Sequence, residues 1–349
     1  MIDTTNTHLA NISVHHVGNK TNGERLLLSK KELALADKKL EDLLFQFFLS
    51  SFKNAEFYNF TFTNKEFELN PLYNYAVKVF ERKTDFHKQA TDIARHLFEI
   101  TNHPQIKAGD LFVGLFTNLS VNGHVVNALG IFKSESKQSF LQLNSNNSDE
   151  FQLLYDEGIN IEQLDKGCLI LDTDSDKGYK ICIIDKRNKG PEAQYWRDNF
   201  LMIRPAQDEF HHTSDFLSLT KTFVTAGMPE EFEVSKTEQI DLLNRSMEYF
   251  KTHESFNKRE FESEVFQDET VIKSFRKFDK VYREDNELEA FDNFDISEKA
   301  VQKQGRVFKS VLKLDKNFHI YIHGNKEMIE QGVEKDGRKF YKIYYKEES

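Results

Sequence analysis

The sequence has few of the residues that cross-link small secreted proteins or interrupt regular structure. Only two cysteines, Cys168 and Cys182, occur in 349 residues, which excludes a disulfide framework and a four-cysteine zinc site. Five prolines and 15 glycines are too few for a collagen-like or linker-dominated chain. No apolar run approaches the ~18–20 residues of a membrane-spanning helix, and residues 1–13 lack the pattern of a secretory signal. We therefore expect a globular, cytoplasmic protein without a membrane segment.

An excess of positive charge is also missing. The chain has 47 Lys+Arg against 57 Asp+Glu, a formal net charge of −10, which argues against a protein that coats nucleic acid by bulk charge. The charge is unevenly distributed. Residues 226–300 hold 11 basic and 20 acidic residues, whereas residues 301–349 hold 11 basic and 7 acidic residues. The final segment is therefore the basic part of an acidic protein.

Hydrophobic periodicity predicts an opening strand, then helices, and then a series of strands. Hydrophobic residues make up 39% of the chain and include 32 phenylalanines, which is enough for buried cores. Apolar residues at helical spacing predict three early helices, which begin near residues 30, 71 and 84. From Gly109 onwards, short strand-like runs separated by polar turns predict an antiparallel meander. The strands are expected at 9–17, 111–117, 125–133, 139–144, 151–155, 167–172 and 179–185.

The residues at 226–229, Ala-Gly-Met-Pro, suggest a boundary between two modules. Beyond this break, Ser235 and Glu238 form a capping box at the start of a helix, and two further helices are expected at 257–265 and 268–283. Strands are then expected at 306–314, 318–323 and 338–346. We therefore predict an α+β protein. Residues 1–225 have N-terminal helices packed on an antiparallel sheet, and residues 230–349 have a helical segment followed by a small C-terminal antiparallel sheet.

Basic residues alternate with aromatic residues in the last strands. Basic side chains are suited to phosphate groups, and aromatic rings are suited to base stacking or groove contact. The solvated outer face of a small sheet, with its aromatics packed inside, would have the same composition. The candidate DNA contacts are Lys309, Lys313, Arg338, Lys339, Lys342, Tyr341 and Tyr344.

The sequence has no P-loop, dinucleotide-binding fingerprint or Gly-x-Ser-x-Gly motif. Asp110, Glu135 and Lys137 are similar in type and order to the carboxylates and lysine of metal-dependent nucleases. However, an acid-x-lysine pattern is common by chance in a chain that is 30% charged, and residues 134–138 have the composition of a turn. We therefore predict no catalytic residue, no cofactor and no metal site, and keep a metal-dependent nuclease as the weakest alternative.

Several short blocks resemble the bacterial nucleoid-associated protein family of the NdpA/YejK type. They occur in order along nearly the whole chain, and the tyrosine–tryptophan and Leu-Asp-Lys-Gly blocks are the most distinctive. The resemblance implies a bacterial, cytoplasmic, non-enzymatic protein that is associated with the nucleoid and binds DNA. The blocks are 12–20, 57–60, 103–104, 130–135, 158–160, 164–167, 193–196 and 318–324.

Two main hypotheses follow. In the first, the chain binds DNA with low specificity through the local basic patch of its C-terminal strands. In the second, the acidic helices of residues 230–300 form an interaction surface, and the chain is an adaptor that associates with another nucleoid protein. The sequence leaves the oligomeric state open.

Overall fold

The computed structural model divides into two compact units, Met1–Ala206 and Gln207–Ser349. The fold class is α+β, as the sequence predicts. The division lies earlier in the chain than the break suggested at 226–229, because Phe216 and Leu217 belong to the core of the second unit. The structure describes residues 2–53, 56–63, 66–82, 85–145, 151–185, 195–286, 288–305, 308, 311–314, 317–322, 328–345 and 347.

The first unit is built on a nine-stranded antiparallel sheet with the strand order β11-β4-β10-β9-β6-β5-β2-β3, in which β1 also pairs with β5. Strands β7 and β8 form a separate hairpin, so the predicted meander is interrupted between β6 and β9. The strands are β1 Ile2–Asp3, β2 His8–Val17, β3 Leu26–Leu28, β4 Phe57–Phe60, β5 Gly109–Val121, β6 His124–Ser134, β7 Lys137–Ser145, β8 Phe151–Ile159, β9 Lys166–Leu171, β10 Lys180–Asp185 and β11 Ile203–Pro205.

Three helices of the first unit contribute to cores on both faces of this sheet. Leu111 and Val113 on β5 belong to the same core as α2 and α3, whereas Phe112 and Phe116 belong to the core that contains Phe48 of α1. This division follows from the alternation of side chains along a strand. The helices are α1 Lys38–Leu49, α2 Pro71–Phe80 and α3 Phe86–Glu99, with shorter helical segments at Ser50–Phe52, Phe67–Leu69, Ser175–Lys177 and Tyr195–Leu201.

The predicted start of α2 is confirmed, whereas the predicted start of α1 is not. Helix α2 begins at Pro71, as expected, with the Asn70 side chain accepting hydrogen bonds from its first turn. The prediction that the first helix begins near residue 30 is wrong. Helix α1 begins at Lys38 because the Asp37 side chain caps it, accepting from the backbone N–H of Lys39.

The second unit has a helical part with a phenylalanine-rich core. Phe216, Phe223, Phe261 and Phe275 are all fully buried in it. The predicted capping box is confirmed at the start of α6. The elements are α4 Glu209–Thr222, α5 Met228–Glu231, α6 Lys236–Thr252, β12 Ser255–Asn257, α7 Lys258–Phe261, α8 Glu269–Asp285, β13 Asn293–Asp295 and α9 Glu298–Gly305, with π-helical turns at Phe223–Gly227 and Glu262–Phe266.

The predicted small C-terminal antiparallel sheet is present as two separate hairpins. One hairpin pairs β14 Val311–Leu314 with β15 Phe318–Tyr321, and the other pairs β16 Ile329–Val333 with β17 Lys339–Ile343. Strand β16 is not among the sequence predictions. Across the part of the chain that the structure describes, every helix is too short or too polar to cross a membrane.

Candidate nucleic-acid interface

The β14–β15 hairpin directs Lys313 away from a small apolar core. Leu312 lies opposite Ile320, and both belong to the cluster that Ile240 of α6 forms with these strands. Lys313 is the next residue and lies opposite His319, and both side chains are exposed. Because alternate residues of a strand face opposite sides, the packing of the buried Leu312 and the partly buried Ile320 against this core fixes Lys313 on the solvent side.

The β16–β17 hairpin places Tyr341 on its inner face. Tyr341 lies opposite Gln331 and, together with Ile329, contacts the small core around Ile240. The Tyr341 ring is only partly exposed. Tyr341 therefore helps to hold the hairpin against α6, and little of its ring is available for a flat stacking contact.

The outer face of the same hairpin combines aromatic and basic groups. Phe340 lies across from Gly332, where a side chain could not fit, since a Cβ atom there would lie 2.5 Å from the Phe340 ring. The Lys342 ammonium lies 4.7 Å from the centre of the Tyr344 ring and 3.6 Å from the Glu330 carboxylate. A hydrogen bond with Tyr344 and the nearby charge of Glu330 raise the pKa of Lys342, so this side chain is cationic at neutral pH.

The candidate cations differ in whether an acidic side chain already accompanies them. The Arg338 guanidinium lies 2.7 Å from Asp336, and Lys342 has Glu330 beside it. Lys313 and Lys339 are exposed and have no acidic partner within the described part of the chain. Lys309 lies outside the described residues. The structure thus brings Arg338, Lys339, Lys342 and Tyr344 together on one hairpin and places Lys313 on the other.

A second polar arrangement, which sequence reasoning missed, is buried in the first unit. The Lys133 side chain is fully buried, and its ammonium donates to the Lys107 carbonyl at 2.5 Å, to Glu135 at 3.0 Å and to the Tyr195 hydroxyl at 3.0 Å. The Tyr195 hydroxyl donates to the same Glu135 carboxylate at 2.8 Å. Burial lowers the pKa of Lys133, although Glu135 opposes this effect. These three acceptors satisfy all three N–H groups of the ammonium, which offsets part of the cost of burying its charge.

A second buried lysine flanks the same tyrosine. The Lys166 ammonium lies 5.2 Å from the centre of the Tyr195 ring and donates to Asp185 at 2.9 Å. The Asp165 carboxylate accepts the backbone N–H of Glu135 at 2.7 Å. Lys133, Glu135, Asp165, Lys166 and Tyr195 come from the blocks 130–135, 164–167 and 193–196, so the family resemblance was the sequence signal for most of this network. Its geometry is that of a structural network, because every group named here is committed to a partner inside the unit.

The residues of the nuclease alternative are divided between two sets of contacts. Glu135 belongs to the buried network, and its side chain is 2% exposed. Asp110 instead accepts from His16 at 2.8 Å and forms a close ion pair with Lys137. Burial opposes ionisation of Asp110, but these hydrogen bonds outweigh it and hold the pKa of this carboxyl below its usual value. The contacts therefore pair each carboxylate with its own cation and do not favour a shared magnesium site.

One group in the described part of the chain has a geometry compatible with metal ligation. The side-chain ligand atoms of His253, Glu260 and Glu264 lie within 4.8 Å of one another. The Glu260 carboxylate already accepts the Tyr249 hydroxyl at 3.0 Å, and both glutamates are exposed. Three loosely spaced donors are fewer than a closed zinc site requires, and we assign no metal to them.

Comparison with known proteins supports the sequence resemblance. A family model described as NA37, nucleoid-associated protein YejK, matches residues 13–338 of the chain. The matched region extends over parts of both units and includes strands β14, β15 and β16, but it ends one residue before β17. The resemblance indicated by the sequence blocks is therefore confirmed. No curated protein matches the chain.

Proposed function

The chain belongs to this nucleoid-associated protein family, and on that premise we propose that it binds DNA directly, without catalysis and with low sequence specificity, through its C-terminal hairpins. The observation that carries the proposal is that Lys342 and Tyr344 lie side by side on the exposed outer face of the second hairpin, whose last strand begins with the exposed Lys339. A cation beside an aromatic ring offers a phosphate contact and an apolar surface to the same segment of backbone.

The four cations of the proposed interface have different roles. Lys313 and Lys339 can neutralise phosphates without first leaving an ion pair, because neither has an acidic partner among the described residues. Arg338 and Lys342 must exchange Asp336 and Glu330 for phosphate, so the net free energy that they contribute is smaller. Contacts of this type fix the position of the protein on the backbone and carry no sequence information, which accounts for the proposed low specificity.

The aromatic contribution comes from the exposed rings. Phe340, Tyr344 and Tyr345 are 38%, 39% and 69% exposed, so each presents a large apolar surface to solvent. We assign Tyr344 as the ring that lies beside the DNA backbone, because it is adjacent to Lys342. Tyr341 supports the strand from its inner face.

The acidic segment supports a second candidate, in which the chain is an adaptor. Residues 226–300 carry 20 acidic and 11 basic residues, a balance that favours a basic protein partner and repels DNA. In this case the purified chain would not bind DNA, and it would associate with the nucleoid only when the partner protein is present.

Charge reversal tests the direct-binding proposal. The full chain and its Lys313→Glu/Lys339→Glu variant are titrated against a fluorescent duplex at low salt, and we expect the variant to bind at least about tenfold more weakly. A Lys251→Glu/Lys273→Glu variant, altered on the exposed surfaces of α6 and α8, makes the same change in net charge. Equal losses in the two variants would show that net charge, and not this surface, governs binding.

A further inference from the structure

The β7–β8 hairpin of the first unit presents an apolar face to solvent. Its nine cross-strand pairs run from Lys137 opposite Ile159 to Ser145 opposite Phe151. Five large apolar side chains lie on the same face, because they occupy alternate positions that are paired across the two strands. They are Leu141, Leu143, Phe151, Leu153 and Tyr155, and they are between 62% and 77% exposed.

This exposure is unusual in two ways. Scattered single apolar residues are normal on a protein surface, but a contiguous apolar face marks an interaction site. In addition, a two-stranded hairpin is only marginally stable in water unless another element covers its apolar face. The nine-stranded sheet does not extend to β7 or β8, so it does not provide that cover.

We propose that this face is a self-association surface, covered by the same hairpin of a second copy of the chain. The apolar face requires a covering partner whenever the protein is folded. A second copy of the chain is present wherever the first one is. The centre of the face contains no charged group, so two identical faces can meet without burying an unpaired charge.

The available area fits a dimer interface. Each of the five side chains exposes about 100–150 Å², so one face presents on the order of 600 Å². Two faces would together bury about 1,200 Å², at the lower end of specific protein–protein interfaces. The pair Leu143–Leu153 lies midway along the apolar face, so a two-fold axis would pass close to it.

The charge of the hairpin argues against nucleic acid as the occupant. Strands β7 and β8 contain one cation, Lys137, and the acidic residues Asp156 and Glu157. Lys137 is paired with Asp110. A phosphate backbone would therefore meet an apolar face with no free cation on these two strands.

The molecular mass in solution tests the proposal. By light scattering during size-exclusion chromatography, the full chain is expected at twice its 41.0 kDa mass. The Leu143→Glu/Leu153→Glu variant places two charges at the centre of the face and is expected at the mass of one chain. The control is Asn144→Glu/Gln152→Glu, which changes a cross-strand pair on the opposite face and should remain dimeric. A monomeric wild-type chain, or a dimeric Leu143→Glu/Leu153→Glu variant, would overturn the proposal.

Cross-linking keeps the test decisive if the charged variant fails to fold. Both natural cysteines are fully buried, and burial raises the pKa of each thiol, so they are poor targets for a maleimide. A Leu143→Cys chain treated with a short bismaleimide should give a covalent dimer. An Asn144→Cys chain, modified on the opposite face, should give little. Equal cross-linking at the two positions, or none at position 143, would contradict the proposed packing.

Discussion

The ammonium group of Lys342 lies 4.7 Å from the centre of the Tyr344 ring and 3.6 Å from the carboxylate of Glu330. The first distance joins the two chemical features that a DNA-contacting surface needs, a cation and an exposed ring. The second distance shows that this cation already has a competitor for phosphate on the neighbouring strand. The strength of the proposed interface therefore depends on the acidic residues around it as well as on its lysines.

The two tyrosines of the last strand should respond differently to truncation. Tyr344→Ala removes an exposed ring, so we expect DNA binding to weaken by about 1–2 kcal/mol with little change in stability. Tyr341→Ala removes a half-buried ring from the core around Ile240, so we expect about 1–3 kcal/mol of stability to be lost. For both variants, DNA affinity is measured by fluorescence anisotropy and stability by urea unfolding. The assignment fails if Tyr344→Ala binds DNA normally while a folded Tyr341→Ala does not.

Removal of the competing carboxylate should strengthen binding. Glu330→Gln keeps the size of the side chain, frees Lys342 from its ion pair and removes one negative charge from the interface. We expect DNA affinity to rise about two- to threefold at low salt, which corresponds to less than 1 kcal/mol. The control is Glu248→Gln, an exposed glutamate on α6 that makes the same change in net charge. An equal gain in DNA affinity in both variants would show that net charge, and not the position of Glu330, limits binding.

The buried network should affect stability and not DNA binding. Glu135→Gln leaves the fully buried Lys133 ammonium without its counter-charge, so we expect the free energy of unfolding to fall by about 3 kcal/mol. Under conditions in which the Glu135→Gln chain is folded, its DNA affinity should be the same as that of the wild-type chain. The same variant also tests the nuclease alternative, because magnesium-dependent nicking that disappears in a folded Glu135→Gln chain would establish a catalytic role for this residue.

Acidification should destabilise the first unit through His15. Burial, with a smaller effect from the neighbouring His87, lowers the pKa of His15 to about 4. Its Nδ1 atom accepts the backbone N–H of Ser29 at 3.2 Å, which requires the unprotonated ring. The unfolded chain binds a proton near pH 6.5 and the folded chain does so only near pH 4. The contribution of His15 to stability is therefore complete above pH 6.5 and is lost as the pH falls towards 4.

The measurement for this histidine is urea unfolding of the wild-type chain and a His15→Asn chain between pH 7 and pH 4. The asparagine oxygen can accept the Ser29 N–H but cannot be protonated in this range. We expect the wild-type chain to lose more stability than the variant over this interval, by on the order of 2–3 kcal/mol. An equal loss of stability in the wild-type and His15→Asn chains between pH 7 and pH 4 would contradict the proposed role of His15. An exposed histidine replaced in the same way, His124→Asn, is the control.

Local patterns predicted much of the fold because short-range chemistry decides it. The start of α2 at Asn70-Pro71 and the capping box of α6 depend on neighbouring residues, and both were predicted correctly. The start of α1 was not, because apolar residues near position 33 continue the helical spacing while Asp37 sets the actual boundary. The pairing of β7 with β8 outside the main sheet is a tertiary property that strand-like composition does not encode.

In the candidate interface too, the local pattern was predictable from the sequence and the tertiary contacts were not. Alternation along the last strand could suggest which residues face outwards, but not that Tyr341 belongs with Ile240 or that Glu330 lies beside Lys342. The contact with Glu330 depends on strand β16, which the sequence analysis does not predict. The buried lysines were missed for a related reason, because a lysine in a strand is normally read as exposed.

The salt dependence of duplex binding is the most direct test of DNA binding through the C-terminal hairpins. The full chain is titrated against one duplex at several salt concentrations, and the logarithm of the binding constant is plotted against the logarithm of salt. Each phosphate neutralised contributes about 0.9 to the slope, so we predict a steep slope that becomes shallower by about 2 in Lys313→Glu/Lys339→Glu. No binding by the purified chain at low salt, or a slope unchanged in this variant, would contradict direct DNA binding through the C-terminal hairpins.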